Sequence, residues 1–155
     1  MTSLRPLGAC PKNKDDKIKK EVMAEMKEPT LWKWFSLFVR LRDCVEGSQG
    51  FARCISCGKP QYFKSMDAGH YISRRFKPTK YDERNVHAQC VSCNQHKSGN
   101  VDEYAKAIGV EVAQELYDKS REPAKKLKLW EVVAMTKEYR LKAKNEAYRV
   151  GVEIR

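Results

Sequence analysis

The chain has 155 residues, 41% hydrophobic and 33% charged, and its 31 Lys and Arg against 20 Asp and Glu leave a formal net charge of +11. That length suits one domain with a modest core, and no apolar run approaches the ~18 residues needed to span a bilayer. The positive excess favours a polyanionic partner, because binding releases condensed counterions, although solubility or a membrane surface would also explain a basic chain.

Residues 1–14 carry two prolines, a glycine and no hydrophobic period, and read as a flexible basic leader. They hold no apolar signal-peptide core, so a cytoplasmic protein is expected. Residues 15–28, DDKIKKEVMAEMKE, place Ile18, Val22 and Met26 at helical spacing. Pro29 is expected to stop that helix and Thr30 to cap a second one, from 31 to about 45, with Leu31, Phe35, Phe38 and Leu41 or Arg42 along one side. Trp32 and Trp34 are expected to pack as core or helix-contact residues rather than to stack on bases. EGSQG at 46–50 is a turn. Residues 51–100 should form short strands and loops, then a helix beginning near Asn94. The stretch 101–119 is helical and should be broken by Gly109. After Pro123 a long helix is expected over about 129–149, with Leu129, Val132, Val133, Met135, Tyr139 and Leu141 on its apolar face and its basic residues in solvent. This divides the chain into a leader (1–14), N-terminal helices (15–50), a central core (51–108) and C-terminal helices (109–155).

The cysteines are the strongest signal. Cys10 and Cys44 stand alone and read as inert thiols, but Cys54-Ile-Ser-Cys57 and Cys90-Val-Ser-Cys93 are matched pairs. Without a secretory signal a disulfide framework is not expected. A redox dithiol does not explain a second matched pair. Four thiolates satisfy tetrahedral zinc, and a closed site of that kind holds a fold and keeps no position open for water. Chemistry, if present, must come from the residues between the two pairs.

His70, Asn85 and Asn94 stand out there. The pattern Cys-x-x-Cys, Gly-His, then Asn-x-x-x-x-Cys-x-x-Cys-Asn resembles the HNH, or ββα-metal, nucleases. The segments CISCG, DAGHY and ERNVHAQCVSCNQHKSGN are most similar to the NinG (Rap) recombination endonucleases of lambdoid phages. The resemblance is dense over residues 51–100 and looser over the flanking helices. The extra cysteine-rich N-terminal segment associated with that branch is not found here, so the resemblance says nothing of residues 1–29.

The resemblance implies roles that suit the chemistry. Cutting a phosphodiester needs an activated water and charge to stabilise the leaving oxygen. His70 becomes the general base. Asn85 would bond backbone across the loop and fix His70. Asn94, at a helix start, would offer its amide oxygen to Mg2+ or Mn2+. Many HNH enzymes place a metal ligand just before the base, where this chain has Gly69, so Asp67 is the nearest carboxylate for a second ligand. On an α-helix starting at Asn94, His96 would face about 200° away, which makes it a second choice as ligand and favours Lys97 as a phosphate contact. His87 reads as structural or DNA-facing. Arg74, Arg75, Lys77, Lys80 and Arg84 form a basic loop suited to gripping phosphate, or simply solvated. Taken alone, a histidine near a zinc knuckle also reads as a turn cap, and the two asparagines as ordinary turn and cap residues.

The expected fold is α+β, a small zinc-pinned ββα core flanked by N- and C-terminal helices. The expected function is metal-dependent endonuclease action on branched DNA such as Holliday junctions or D-loops in phage recombination. A homodimer and phage or host recombination proteins are the expected partners, with no membrane. The alternatives are a non-catalytic zinc-knuckle DNA-binding module and an HNH nickase or restriction-type nuclease without junction preference.

Overall fold

The computed structural model describes residues 27–154. The expected leader, Cys10 and most of the helix expected over 15–28 lie outside those residues. The first helix, α1, spans Glu28–Arg42 and buries Leu31, Phe35, Phe38, Val39 and Leu41. Pro29 is expected to end a preceding helix that falls largely outside the described residues. It sits in the first turn of α1, where its missing N–H is no loss because first-turn amides have no helical acceptor. The cap position accordingly falls on Lys27 and not Thr30, and the Lys27 carbonyl accepts from the amides of Thr30 and Leu31. Arg42 ends α1 earlier than expected. Its guanidinium donates to the Glu83 and Val86 carbonyls, and the neighbouring Asp43 carboxylate accepts from the Ala88 amide at 2.7 Å.

The strands form two separate antiparallel pairs. β1 (Phe51–Arg53) pairs with β2 (Pro60–Tyr62), and β3 (Met66–His70) pairs with β4 (Val86–Cys90). β3 and β4 are joined by the loop 71–85. A wide helical turn, Ser92–His96, follows β4. The helix expected to begin near Asn94 therefore starts earlier, and Asn94 lies inside the turn instead of capping it. Val101–Ile108 (α2) and Val110–Ser120 (α3) are separated at Gly109, whose φ of +92° is unfavourable for any residue with a Cβ.

The last helix, α4 (Leu129–Val150), packs along α1. Its buried stripe is Val132, Thr136, Tyr139, Ala143, Ala147 and Val150, spaced by threes and fours as one helix face requires. Leu129 and Leu141, expected on that face, are 49% and 61% exposed. The small Ala143 and Ala147 occupy the seam. Tyr139 meets Phe35 edge-to-face at 4.8 Å between ring centroids, within the favoured range for aromatic pairs. No described helix is long and apolar enough to cross a membrane.

Candidate metal centre and cleft

The knuckle between β1 and β2 brings Cys54 and Cys57 to Cys90 at the end of β4 and Cys93 in the turn beyond it. Their four sulfurs lie within 4.8 Å of one another. Cys57 Sγ and Cys90 Sγ are 3.8 Å apart, which matches the edge of about 3.8 Å of a tetrahedron built on zinc–sulfur bonds of about 2.3 Å. The turn is shaped for this. The Gly58 amide donates to the Cys54 carbonyl at 2.8 Å, with Gly58 at φ +71°, and the Ile55 amide reaches across to the Ala88 carbonyl. The Asn100 amide points at Cys93 Sγ from 3.7 Å, a contact that favours a thiolate. The donor set fits zinc. Cys44 is a buried free thiol outside the cluster, and it donates to the Arg40 carbonyl.

A cleft of about 700 Å³ opens beside this frame, lined by Asp67, His70, Arg74 and Asn94 and walled by Trp32 and Arg40 of α1. His70 ends β3. Its Nε2 lies 3.0 Å from the Lys80 carbonyl oxygen. A carbonyl only accepts, so Nε2 carries the hydrogen and Nδ1 keeps its lone pair. Trp32 stacks on the imidazole at 5.3 Å and 20°. Trp32 also meets the rings of Phe35 and Tyr81, so His70 is one of three rings around it. Burial holds the His70 pKa below its ordinary value against the opposing hydrogen bond to Lys80, and the Arg74 and Lys80 charges push the same way as burial. The imidazole is therefore neutral at neutral pH.

Asn85 is fully buried, and its side chain closes the loop 71–85. Its Oδ1 accepts from the Ile72 amide at 2.7 Å, and its Nδ2 donates to the Ile72 and Thr79 carbonyls. Those bonds hold both ends of the loop whose Lys80 carbonyl orients His70. Tyr104 of α2 adds a second anchor. Its hydroxyl donates to the Gly69 carbonyl at 2.9 Å and lies 3.2 Å from His87 Nδ1. His87 is partly buried, and burial lowers its pKa.

Asp67 and Asn94 touch. The Asn94 amide nitrogen donates to Asp67 Oδ2 at 2.8 Å, and Gln95 donates to the same oxygen. Turning the Asn94 amide about its own axis would set two oxygens side by side, an arrangement stabilised by a cation between them. One carboxylate and one amide oxygen fit a hard cation that keeps much of its water. Gly69 offers no ligand for a steric reason. A Cβ there would lie 2.2 Å from Gln89 Oε1. Gln89 is itself fully buried and fastened to Ser56 Oγ and the Gly99 carbonyl.

The remaining predicted residues divide. Arg74 and Arg75 are exposed and have no ion pair among the described residues. Lys80 is paired with Glu28, Lys77 is 4.0 Å from the same carboxylate, and Arg84 is bound by Asp82 and Glu115. His96 and Lys97 are exposed, and neither lines the cleft. Lys97 would share the face of Asn94 only on an α-helix starting there, whereas the turn is wider and starts earlier. Sequence reasoning missed the wall formed by Trp32, Ser36 and Arg40. Their spacing of four places them on one face of α1, which was a visible signal, but nothing in the sequence said that this face meets β3.

A family model described as Bacteriophage Lambda NinG protein matches residues 10–148. The chain belongs to the NinG family. It is 39% identical over 95 residues to protein ninG of Escherichia phage lambda, covering 59% of this chain and 46% of that protein. It is 47% identical over 66 residues to protein ninG of Escherichia phage 933W, covering 42% of this chain and 32% of that protein. With protein ninG of Salmonella phage P22 it shares 46% identity over 68 residues, 41% of this chain and 33% of that protein. The matched stretch spans less than half the length of each of these NinG relatives. No solved structure matches the chain.

Proposed function

We propose that this NinG-family chain is a metal-dependent DNA endonuclease that hydrolyses phosphodiester bonds, with branched recombination intermediates as its preferred substrates. The observation that carries the reading is the convergence of Asp67, His70 and Asn94 on one cleft, with the imidazole held as the Nε2–H tautomer. In this reading His70 Nδ1 takes a proton from water as the water oxygen attacks phosphorus in line and the opposite phosphorus–oxygen bond breaks. Asn85 keeps the Lys80 carbonyl in place so that the lone pair stays on Nδ1. Mg2+ or Mn2+ held by Asp67 and the Asn94 amide oxygen would supply positive charge to the leaving oxygen. Arg74, which lines the cleft, and its neighbour Arg75, neither ion-paired among the described residues, would hold flanking phosphates. Zinc on the four cysteines holds the frame and takes no part in the reaction.

The test uses labelled four-way-junction and linear DNA with Mg2+, with Mn2+ and with chelator. Wild type should cut only with metal and should prefer the junction. His70→Ala should lose at least about 10²-fold in rate while keeping its fold and its affinity for DNA. Equal cutting by the variant removes His70 as the base. Equal cutting of both DNAs leaves a nuclease without junction preference, and binding without cutting by wild type leaves a zinc-knuckle binding module.

A further inference from the structure

Among the described residues, one partly buried cation lacks an ion pair. Arg40 is partly buried on the face of α1 that walls the cleft. Its Nε donates to the Ser36 carbonyl at 3.1 Å, and its Nη1 donates to the Phe63 carbonyl at 3.1 Å and the Met66 carbonyl at 3.4 Å. All of these acceptors are neutral, and Nη2 has no partner among the described residues. Asp67 is the acid whose charge reaches it most strongly, yet no ion pair forms between them, and Asp67 Oδ2 is occupied by Asn94 and Gln95. Other partly shielded cations are paired: Arg42 with Asp43, Lys80 with Glu28, Arg149 with Glu146. A guanidinium drawn out of water without a counter-ion is costly. Backbone carbonyls fix the position of Arg40 and leave its charge unspent. The cleft lining as a whole carries Arg40 and Arg74 against the single carboxylate Asp67, so it favours an anion.

We propose that Arg40 is the anion-holding residue of this cleft and donates from Nη2 to a non-bridging oxygen of the phosphodiester presented to His70. The class of ligand, a phosphate diester, rests on the nuclease reading above, whereas the anion site itself does not. A guanidinium held in advance suits this task, because its position costs nothing further when charge develops on the phosphoryl oxygens. Lysine is a poor substitute. A single ammonium cannot hold three carbonyls and still present a free donor to the cleft.

Inorganic phosphate tests the site without any cleavage. In zinc-loaded wild type, added phosphate should shift the Arg40 side-chain NH and the His70 ring resonances in a saturable way. The Arg40 signals are identified by their absence from Arg40→Lys. In Arg40→Gln the saturable His70 shift should vanish, with zinc content unchanged. Single-turnover cutting of junction DNA by Arg40→Gln should fall about 10²–10³-fold, and Arg40→Lys should recover less than a tenth of the wild-type rate. If wild-type Arg40 signals do not respond to phosphate, or His70 responds equally in Arg40→Gln, the proposal is overturned; the wild-type measurement decides even if Arg40→Gln does not fold. If phosphate binds through Arg40 but wild type cuts no DNA, the anion site stands and the nuclease reading falls. If cutting requires His70 but is unchanged in Arg40→Gln, the nuclease reading stands and Arg40 has no part in it.

Discussion

Asn85 spends every polar atom of its side chain on backbone: one bond from the Ile72 amide and two to the Ile72 and Thr79 carbonyls. Replacing it with alanine leaves buried groups unpaired, each at a cost of about 1–3 kcal/mol. Asn85→Ala should therefore lose roughly 2–4 kcal/mol of stability in a denaturant melt. If the chain is the nuclease proposed above, the effect of Asn85→Ala on cleavage should exceed that of an equally destabilising change elsewhere, because the loop it closes carries the carbonyl that orients His70. An Asn85→Ala variant that melts like wild type would remove this residue from the frame. Gly69 shows the opposite kind of requirement. It is defined by the side chain it lacks, since Gln89 occupies the space where its Cβ would be.

At the scale of elements, the two strand pairs are short and could not stand alone. β1 and β2 contribute three residues each, and between them lies the cysteine knuckle. With zinc bound, the knuckle ties this pair to the end of β4, so metal and local fold are one equilibrium. Cys90→Ser should lose zinc and unfold the strands and the turn Ser92–His96, read as loss of their amide hydrogen-exchange protection. A variant that stays folded and zinc-bound would refute a structural role for the cluster. The motif spacing alone makes the two cysteine pairs legible. The shape of Ser92–His96 was not legible, because a wide turn and an α-helix share composition and differ only in where their carbonyls find donors. That difference moves Asn94 from a cap to the middle of a turn, and leaves His96 and Lys97 outside the cleft.

At the scale of the whole molecule, acid stability follows from groups the fold holds away from their usual titration. His70 and His87 both have pKa values lowered in the folded state, chiefly by burial. Above about pH 6.5 they are neutral in both folded and unfolded chains and contribute nothing to the balance. As pH falls below that value the unfolded chain takes up protons first, and stability drops. Asp82 behaves differently. Burial alone would raise its pKa, but hydrogen bonds and charge from Arg84 and Lys119 together bring it to about 2. Its contribution is complete above the unfolded value near 4 and is lost between about pH 4 and 2. The melting temperature should therefore decline in two stages, one starting near pH 6.5 and one below pH 4. His87→Gln should reduce the first stage and Asp82→Asn the second; a flat profile from pH 7 to 5 would contradict the burial of the histidines.

The sequence by itself determined the two cysteine pairs, the break at Gly109 and the long final helix. Each depends on spacing along the chain or on the backbone freedom of a single residue, which are properties of neighbours in sequence. Tertiary structure alone decided which face of α1 meets β3, and so brought Trp32 against His70 and Arg40 into the cleft. It also decided that Ala143 and Ala147, rather than Leu141, lie in the seam with α1. These outcomes depend on close packing between elements distant in sequence. There volume and available acceptors select among faces that hydrophobic pattern leaves nearly equivalent.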